Sequence, residues 1–575
     1  MQIRQLKVRN FRGIGVLDWK PGQPFCCLIG SGDTGKSTIL DAMEAALSSR
    51  WFSFAESDFF RCSTDNPISI EATVGELSRA LKSDAKFGLY IRGWTAASEL
   101  IDEPEDGDEP VLTVRLIVDA SLEPVWEIIC DRIPDPRTLS NRDRALFGLV
   151  RLAGDDARHL SWGQGSVLSR LTDDNDEAAA SLAKAYRAAR ESAKLNEIEA
   201  LAKVASAAEE YAKGLGAYVE GGYEPGLELG RAGLSAGAIT LHDNGVPLRL
   251  AGLGSKRLAT LAIQKSAVAD GAIILVDELE LGLEPHRIIG AIAQLKGDQA
   301  TAVATKKPVG QVMMTTHSDI AIAEAGSSSL HVLQVSRPDR TVSVRKAKSP
   351  EAINPLLRFT PRALFARRIL VCEGHCEMGL LLGLRERWPS RHDNIPIEQL
   401  GAAIADGNGE QAASMALSLA ELGFTTAIFR DSDKLLDGTQ LSALQAAGVP
   451  ILEYGDALRT EQALFGAASD QDVQKLLQHA RAERGDGAVD DNLKIALPKL
   501  DIGTLRSDFA IWDLVEEVDP VAVREAIAEV AHRKKWFKDQ RIARGLAPAA
   551  WSICEQNPGS KLADALRRVE QWLYA

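Results

Sequence analysis

The stretch that most constrains this chain is Phe25-Cys26-Cys27-Leu28-Ile29, followed at once by Gly30-Ser31-Gly32-Asp33-Thr34-Gly35-Lys36-Ser37-Thr38. The short apolar run predicts a buried strand. The spacing of Ile39, Leu40, Met43, Ala46 and Leu47 predicts a helix with one apolar face directly after the loop. A G-x-x-x-x-G-K-[ST] loop between strand and helix is a phosphate cradle. Gly30, Gly32 and Gly35 let backbone N–H groups close around phosphate oxygens, Lys36 reaches the β- and γ-phosphates, and the Ser37 hydroxyl ligates Mg²⁺, with Thr38 completing the set. The expected ligand is ATP with Mg²⁺, and the expected architecture is α/β.

Further signals fall in the order an ATPase requires. Ala272–Val276 is an apolar strand ending in Asp277 and Glu278; Asp277 is expected to hold the Mg²⁺ with Ser37, and Glu278 to polarise the attacking water. Gln311–Thr316 is another strand, ending in His317, a candidate γ-phosphate sensor. Between them and the cradle, alternating runs at Ile68–Val74, Phe87–Trp94, Leu112–Asp119 and Val125–Cys130 predict antiparallel strands, interrupted by the acidic loop Asp102–Glu109. From about Ser166 to Leu215 an alanine-rich stretch carries Leu168, Leu171, Leu182, Ala185, Tyr186, Ala189, Leu195, Ile198, Leu201 and Val204. This predicts a helical insertion that serves dimerisation or ordinary packing.

Length and charge add bounds. A chain of 575 residues is too long for one core and predicts two or three domains. The net charge of −14 argues against a surface attractive to DNA everywhere, whereas His532–Arg541 is a local basic run with Trp536 and Phe537 inside it. Met1-Gln2-Ile3-Arg4 opens no signal-peptide pattern, and no apolar run of roughly 18 residues is present, so a cytoplasmic protein with no membrane partner is expected. Seven scattered cysteines fit reduced thiols.

The order Lys36, Asp277/Glu278, His317 resembles ATP-binding-cassette ATPases of the branch that holds the structural-maintenance and double-strand-break-repair proteins. Leu6-Lys7-Val8-Arg9-Asn10-Phe11-Arg12-Gly13 looks like that branch's first strand and turn. Asp277–Glu280 with Gly282-Leu283-Glu284-Pro285-His286 looks like its Walker B and D-loop run. In such proteins two heads sandwich ATP, and a small-residue loop of one faces the nucleotide of the other; Leu250-Ala251-Gly252-Leu253 stands where Leu-Ser-Gly-Gly is usual. The resemblance therefore implies a homodimer or higher homo-oligomer, a tetramer included.

The second half carries different chemistry. Ile369–Cys372 is a short apolar run cut off by Glu373-Gly374, and Thr426–Phe429 is another that ends in Arg430-Asp431-Ser432-Asp433. Two strand ends delivering carboxylates to one edge of a parallel sheet suit a divalent cation. Cys372, His375 and Cys376 offer only three soft ligands, one short of a structural zinc site. These runs, with Ala363–Ala366 and Glu377, resemble a Toprim domain. A P-loop head followed by a Toprim domain resembles the OLD (overcoming lysogenisation defect) family of ATP-dependent endonucleases, most closely its Gabija anti-phage branch.

That resemblance implies that Glu373, Glu377, Asp431 and Asp433 hold one or two Mg²⁺ or Mn²⁺, with Glu461 as a further ligand and Asp406 a candidate. It also implies a lysine for the transferring phosphate: Lys561, in Gly559-Ser560-Lys561-Leu562, with Lys535 and Lys538 as alternatives. The partners implied are double-stranded DNA and a helicase-like protein. The expected domains are an ATPase head over 1–165 and 231–350, a helical insertion over 166–230, and a Toprim nuclease domain over 362–575. The competing reading is a DNA-repair or chromosome-structural ATPase whose second domain binds DNA without cutting.

Overall fold

Apolar runs that end in polar turns become the central strands of two separate sheets in the computed structural model. It describes residues 1–83, 86–152, 157–162, 166–171, 195–227, 239–266, 270–502 and 519–575. The chain divides into two compact units, Met1–Val344 and Arg345–Ala575.

In the first unit Leu149–Leu152, Ile273–Val276, Gln311–Thr315, Phe25–Ile29 and Leu330–Ser336 are consecutive parallel neighbours. Phe25–Ile29 and Gln311–Thr315 are buried at every residue, as expected of parallel strands covered on both faces. The sheet continues into an antiparallel set, with Gln2–Phe11 between Ile14–Trp19 and Ile68–Gly75, then Glu109–Val118 and Pro124–Cys130. The parallel edge positions the phosphate cradle, because the helix Lys36–Leu47 starts where Phe25–Ile29 ends. That helix buries Ile39, Leu40, Met43, Ala46 and Leu47, the apolar face read from their spacing.

One expectation is corrected and one is extended. Phe87–Trp94 is not one strand: Gly88–Tyr90 forms a 3-10 turn and only Arg92–Trp94 pairs with the sheet. Phe87 is fully buried while Leu89 is exposed, so the alternation belongs to a turn packed on its own side chain. The acidic loop is not merely an interruption, since Asp102 accepts hydrogen bonds from the Asp131 and Arg132 backbone N–H groups at 2.8 and 2.7 Å and pairs with Arg92.

Of the expected helical insertion, residues 172–194 and 228–230 lie outside the described residues, and with them Leu182, Ala185, Tyr186 and Ala189. The helices Val167–Leu171 and Glu199–Gly214 are described. In the second, Leu201, Ala205, Ala208 and Ala212 are buried, against the helix Leu253–Ser266. Its apolar stripe is thus ordinary core.

The second unit holds a four-stranded, wholly parallel sheet in the order Ala402–Asp406, Arg368–Cys372, Thr425–Arg430, Ile451–Glu453. The first strand in sequence is flanked by the second on one side and the third on the other. The loops leaving the carboxyl ends of Arg368–Cys372 and Thr425–Arg430 therefore part in opposite directions and open a crevice between them, the position where such sheets bind ligands. The C-terminal helices are packed closely onto this sheet's first helix. A Cβ at Gly383 of His375–Leu384 would lie 2.5 Å from the Arg544 carbonyl and from the Ala547 Cβ. Among the described residues no helix is long and apolar enough to cross a membrane.

Candidate functional site

The glycine-rich loop runs from the strand Phe25–Ile29 into the helix Lys36–Leu47, the placement its residues predict. Gly30 and Gly35 have φ of 158° and 91°, and a Cβ at Gly30 would lie 2.9 Å from the Leu333 carbonyl; only glycine fits there. Lys36 is buried and donates to the Gly30 and Ser31 carbonyls, both at 3.1 Å. Burial lowers its pKa, opposed by Glu278, Asp277, Asp33 and Glu280. Gly32 and Ser37 are exposed and Thr38 is half-buried.

Asp277 is brought to the cradle by the strand two places from Phe25–Ile29. Its Oδ1 accepts from Ser37 Oγ at 3.0 Å and Thr315 Oγ1 at 2.5 Å, and its Oδ2 from Arg151 at 2.8 Å. A serine hydroxyl beside a carboxylate is the donor pair for a nucleotide-bound Mg²⁺. Glu278 follows in a left-handed backbone conformation, φ 45°, held by its N–H on Thr315 Oγ1 at 2.9 Å and its carbonyl on Arg257 at 2.6 Å. Such strain in a non-glycine residue persists only where neighbours enforce it. His317 is exposed at the strand end, and its N–H donates to Glu280 Oε1 at 2.5 Å.

Three residues here have roles that the sequence reading did not assign. Arg151 joins Asp41 and Glu44 of the cradle helix to Asp277. Burial works against its charge, but the carboxylates of Asp41 and Glu44 raise its pKa further than burial lowers it. Arg257 ties the helix after the small-residue loop to the Asp277 and Glu278 carbonyls. Glu280 fixes the turn of Thr316 and His317. A charged residue inside Leu-Val-Arg-Leu was the only sequence signal for Arg151.

In the second unit the crevice gathers acids. Glu373 follows its strand with the backbone N–H donating to the Phe429 carbonyl at 2.8 Å, so the two strand ends are stitched together at the crevice. Its Oε2 is buried without a hydrogen bond, 3.5 Å from the Arg430 guanidinium. Burial raises the Glu373 pKa, Arg430 opposes this and Asp433 adds to it. Glu377 is four residues on, in the first turn of His375–Leu384. It caps that helix through the Gly374 N–H at 3.0 Å and accepts from Thr460 Oγ1 at 2.8 Å.

Asp431 accepts from the Thr460 N–H and Oγ1, both at 2.9 Å. One hydroxyl hydrogen cannot serve Glu377 and Asp431 at once, so a proton or a cation shared by the pair is favoured. Accordingly burial, the Glu377 charge and further acids push Asp431 up to about 8, and burial raises Glu377 as well, with Glu373 and Glu461 adding to it.

Glu461 is 1% exposed, in the first turn of Thr460–Ala467, with Oε1 lacking any hydrogen bond. Its Oε2 lies 3.3 Å from His532 Nδ1. Asp433 is engaged elsewhere: burial would raise it, but Arg459, 2.8 Å away, and more weakly His532 bring it below the usual aspartate range. Asp406 is drawn to His375 Nδ1 at 2.8 Å, on the far side of the Glu373 strand.

Orphaned carboxylate oxygens and mutually raised acids fit a divalent cation. Among the described residues, no three such side chains are gathered into a ready coordination sphere. The soft-ligand alternative has less to offer: Cys372 and Cys376 are fully buried thiols raised by burial and by Glu377.

The lysines separate. Lys561 opens the last helix and pairs with Asp456 at 3.0 Å. Lys535 is exposed in a turn, its carbonyl accepting from Arg484. Of the three, Lys538 is the one whose charge acts on a group beside the crevice, Cys376, and Lys434 adds positive charge at Glu373 and Asp433. The aromatics of the basic run, Trp536 and Phe537, are buried in the core, which leaves Arg533, Lys534, Lys535, Lys538 and Arg541 as its exposed basic residues.

Comparisons with known proteins bear on the first unit. Residues 155–323 match the family model described as an AAA domain, putative AbiEii toxin, of a type IV toxin–antitoxin system. That stretch is similar to an AAA-type ATPase domain. Solved structures similar to the chain, at TM-scores below 0.5, include SMC heads. The SMC head bound to the C-winged helix domain of ScpA is 16% identical at a TM-score of 0.36, covering 60% of this chain and 97% of that one. The Pyrococcus furiosus Smc head with an extended coiled coil, bound to the C-terminal domain of ScpA, is 14% identical at a TM-score of 0.36, covering 60% and 95%. The SMC head domain from Thermotoga maritima is 13% identical at a TM-score of 0.30, covering 60% and 100%. No curated protein matches the chain.

Proposed function

We propose that this chain is an ATP-regulated, divalent-metal-dependent DNA endonuclease of the OLD type with a Toprim second unit, acting in anti-phage defence. The observation that carries the reading is the crevice. Glu373 and Asp431 follow the carboxyl ends of two neighbouring parallel strands, Glu377 and Glu461 lie in the first turns of the helices beside them, and the group holds two orphaned oxygens and an Asp431 proton held up to about 8. Acids crowded this way are unfavourable unless a cation balances them.

Two hard cations, when bound, activate a water on one side of a phosphodiester and stabilise the leaving oxygen on the other. The chain's own residues hold and orient. Glu373 and Glu461 present the unsatisfied oxygens, Thr460 keeps Glu377 and Asp431 side by side, and Arg430 and Lys538 bring positive charge for a phosphate. Asp433 joins the set once released from Arg459. Of the three candidate lysines, Lys538 has the best support. In the first unit Lys36, Ser37 and Asp277 bind ATP with Mg²⁺, Glu278 orients the water, and His317 reads the γ-phosphate. The working form is a homodimer or higher oligomer through these heads, acting on double-stranded DNA, with a helicase-like partner of the Gabija kind.

The test is cleavage of supercoiled plasmid with Mg²⁺ or Mn²⁺, across ATP concentrations, by the parent, Glu373→Ala and Lys36→Ala. Nicking lost in Glu373→Ala supports the site, and an altered ATP response in Lys36→Ala supports the regulation. Equal cutting by all three proteins rejects both, and DNA binding without any cutting favours the structural-ATPase reading.

A further inference from the structure

One neighbour of the crevice comes from far along the chain. His532 is in the last turn of the helix Pro520–Arg533, which packs against Thr460–Ala467. Its Nδ1 lies 3.3 Å from Glu461 Oε2. With Glu461 ionised, its carboxylate accepts and the imidazole donates through Nδ1–H. The contact divides the two oxygens of Glu461: Oε2 is tied to the ring, and Oε1, buried and without a partner, is left over. Glu461 itself is 1% exposed, so its untied oxygen has no solvent to turn to. The next turn buries Trp536 and Phe537 in the core of the unit, which fixes the end of the helix that carries His532.

We infer that His532 is a positioning residue for the carboxylate crevice, fixing Glu461 through Oε2 so that Oε1 is presented to a divalent cation. This rests on the proposed metal-dependent reading of the site. Side chains that orient a ligand from behind typically contribute 10–100-fold to metal affinity. Glutamine can offer an amide N–H where the imidazole offered its own; alanine cannot.

The experiment is Mn²⁺ binding to the full chain without nucleotide, followed by titration calorimetry and by the electron-paramagnetic-resonance signal of bound Mn²⁺. The proteins are the parent, Glu373→Ala, His532→Ala and His532→Gln. Thermal unfolding and ATP binding through Lys36 serve as controls for folding. The inference predicts a 10–100-fold weaker Mn²⁺ affinity and an altered bound-Mn²⁺ spectrum in His532→Ala, at least partly restored in His532→Gln, with ATP binding unchanged. Parent affinity and spectrum in His532→Ala overturn it. So does an equal loss in both His532 variants with lowered thermal stability, which marks a packing role. If the parent binds no Mn²⁺ that Glu373→Ala abolishes, the metal reading fails first and the inference with it.

Discussion

Replacing Asp431 by asparagine perturbs the crevice where it is most strained. Asparagine keeps the shape and an oxygen to accept from Thr460, and removes the charge that burial and Glu377 oppose. Raising an aspartate from its ordinary 3.8 to about 8 spans about four decades in its proton equilibrium, or roughly 6 kcal/mol at about 1.4 kcal/mol per decade. Glu377 shares that burden and remains in the variant, so about 2–3 kcal/mol is the expected gain.

The sign follows from linkage. The folded state holds the Asp431 proton more tightly than the unfolded chain. Its contribution is therefore full below about pH 4 and lost as pH rises through about 8. Metal-free parent should lose thermal stability between pH 5.5 and 8.5, and Asp431→Asn should lose less. At pH 8.5 the variant should melt about 5–10 °C higher, given roughly 2–4 °C per kcal/mol for a unit of this size. Added Mn²⁺ should raise the parent's melting point and leave the variant's nearly unmoved. Calorimetric scans in chelator and in Mn²⁺ check this. A parent melting point flat across that range, or a variant less stable at pH 8.5, refutes the electrostatic argument.

Arg151→Ala strips one cation from three carboxylates, Asp41, Glu44 and Asp277, and should destabilise the first unit by about 3 kcal/mol while weakening ATP binding, read by denaturant unfolding and nucleotide titration. Glu278→Gln should bind ATP as the parent does and hydrolyse it at least 10²-fold more slowly, measured as phosphate release. Gly383→Ala sets a Cβ 2.5 Å from the Arg544 carbonyl and should cost about 2 kcal/mol or more, read as a lower melting point of the second unit.

The sequence was informative where one short segment carries the whole signal. An apolar run broken by an acid or a glycine loop marks a buried parallel strand and what its end presents, so the phosphate cradle, Asp277 and Glu278, and the strand ends at Glu373 and Asp431 could be placed by number. Periodicity was less informative where packing decides. The alternation in Phe87–Trp94 belongs to a turn, and the stripe through Leu201, Ala205, Ala208 and Ala212 is buried within its own unit. Contacts made across long separations left no local trace. Arg151 meets Asp277 across 126 residues, Thr460 meets Glu377 across 83 and His532 meets Glu461 across 71. The order of strands that creates the crevice is equally absent from any single stretch.

The most direct measurement is the fate of supercoiled plasmid under Mn²⁺ with parent and Glu373→Ala protein, each also checked for ATP binding. The account predicts nicked or linear product from the parent, none from Glu373→Ala, and equal ATP affinity for the two. Cutting by Glu373→Ala at the parent's rate contradicts it.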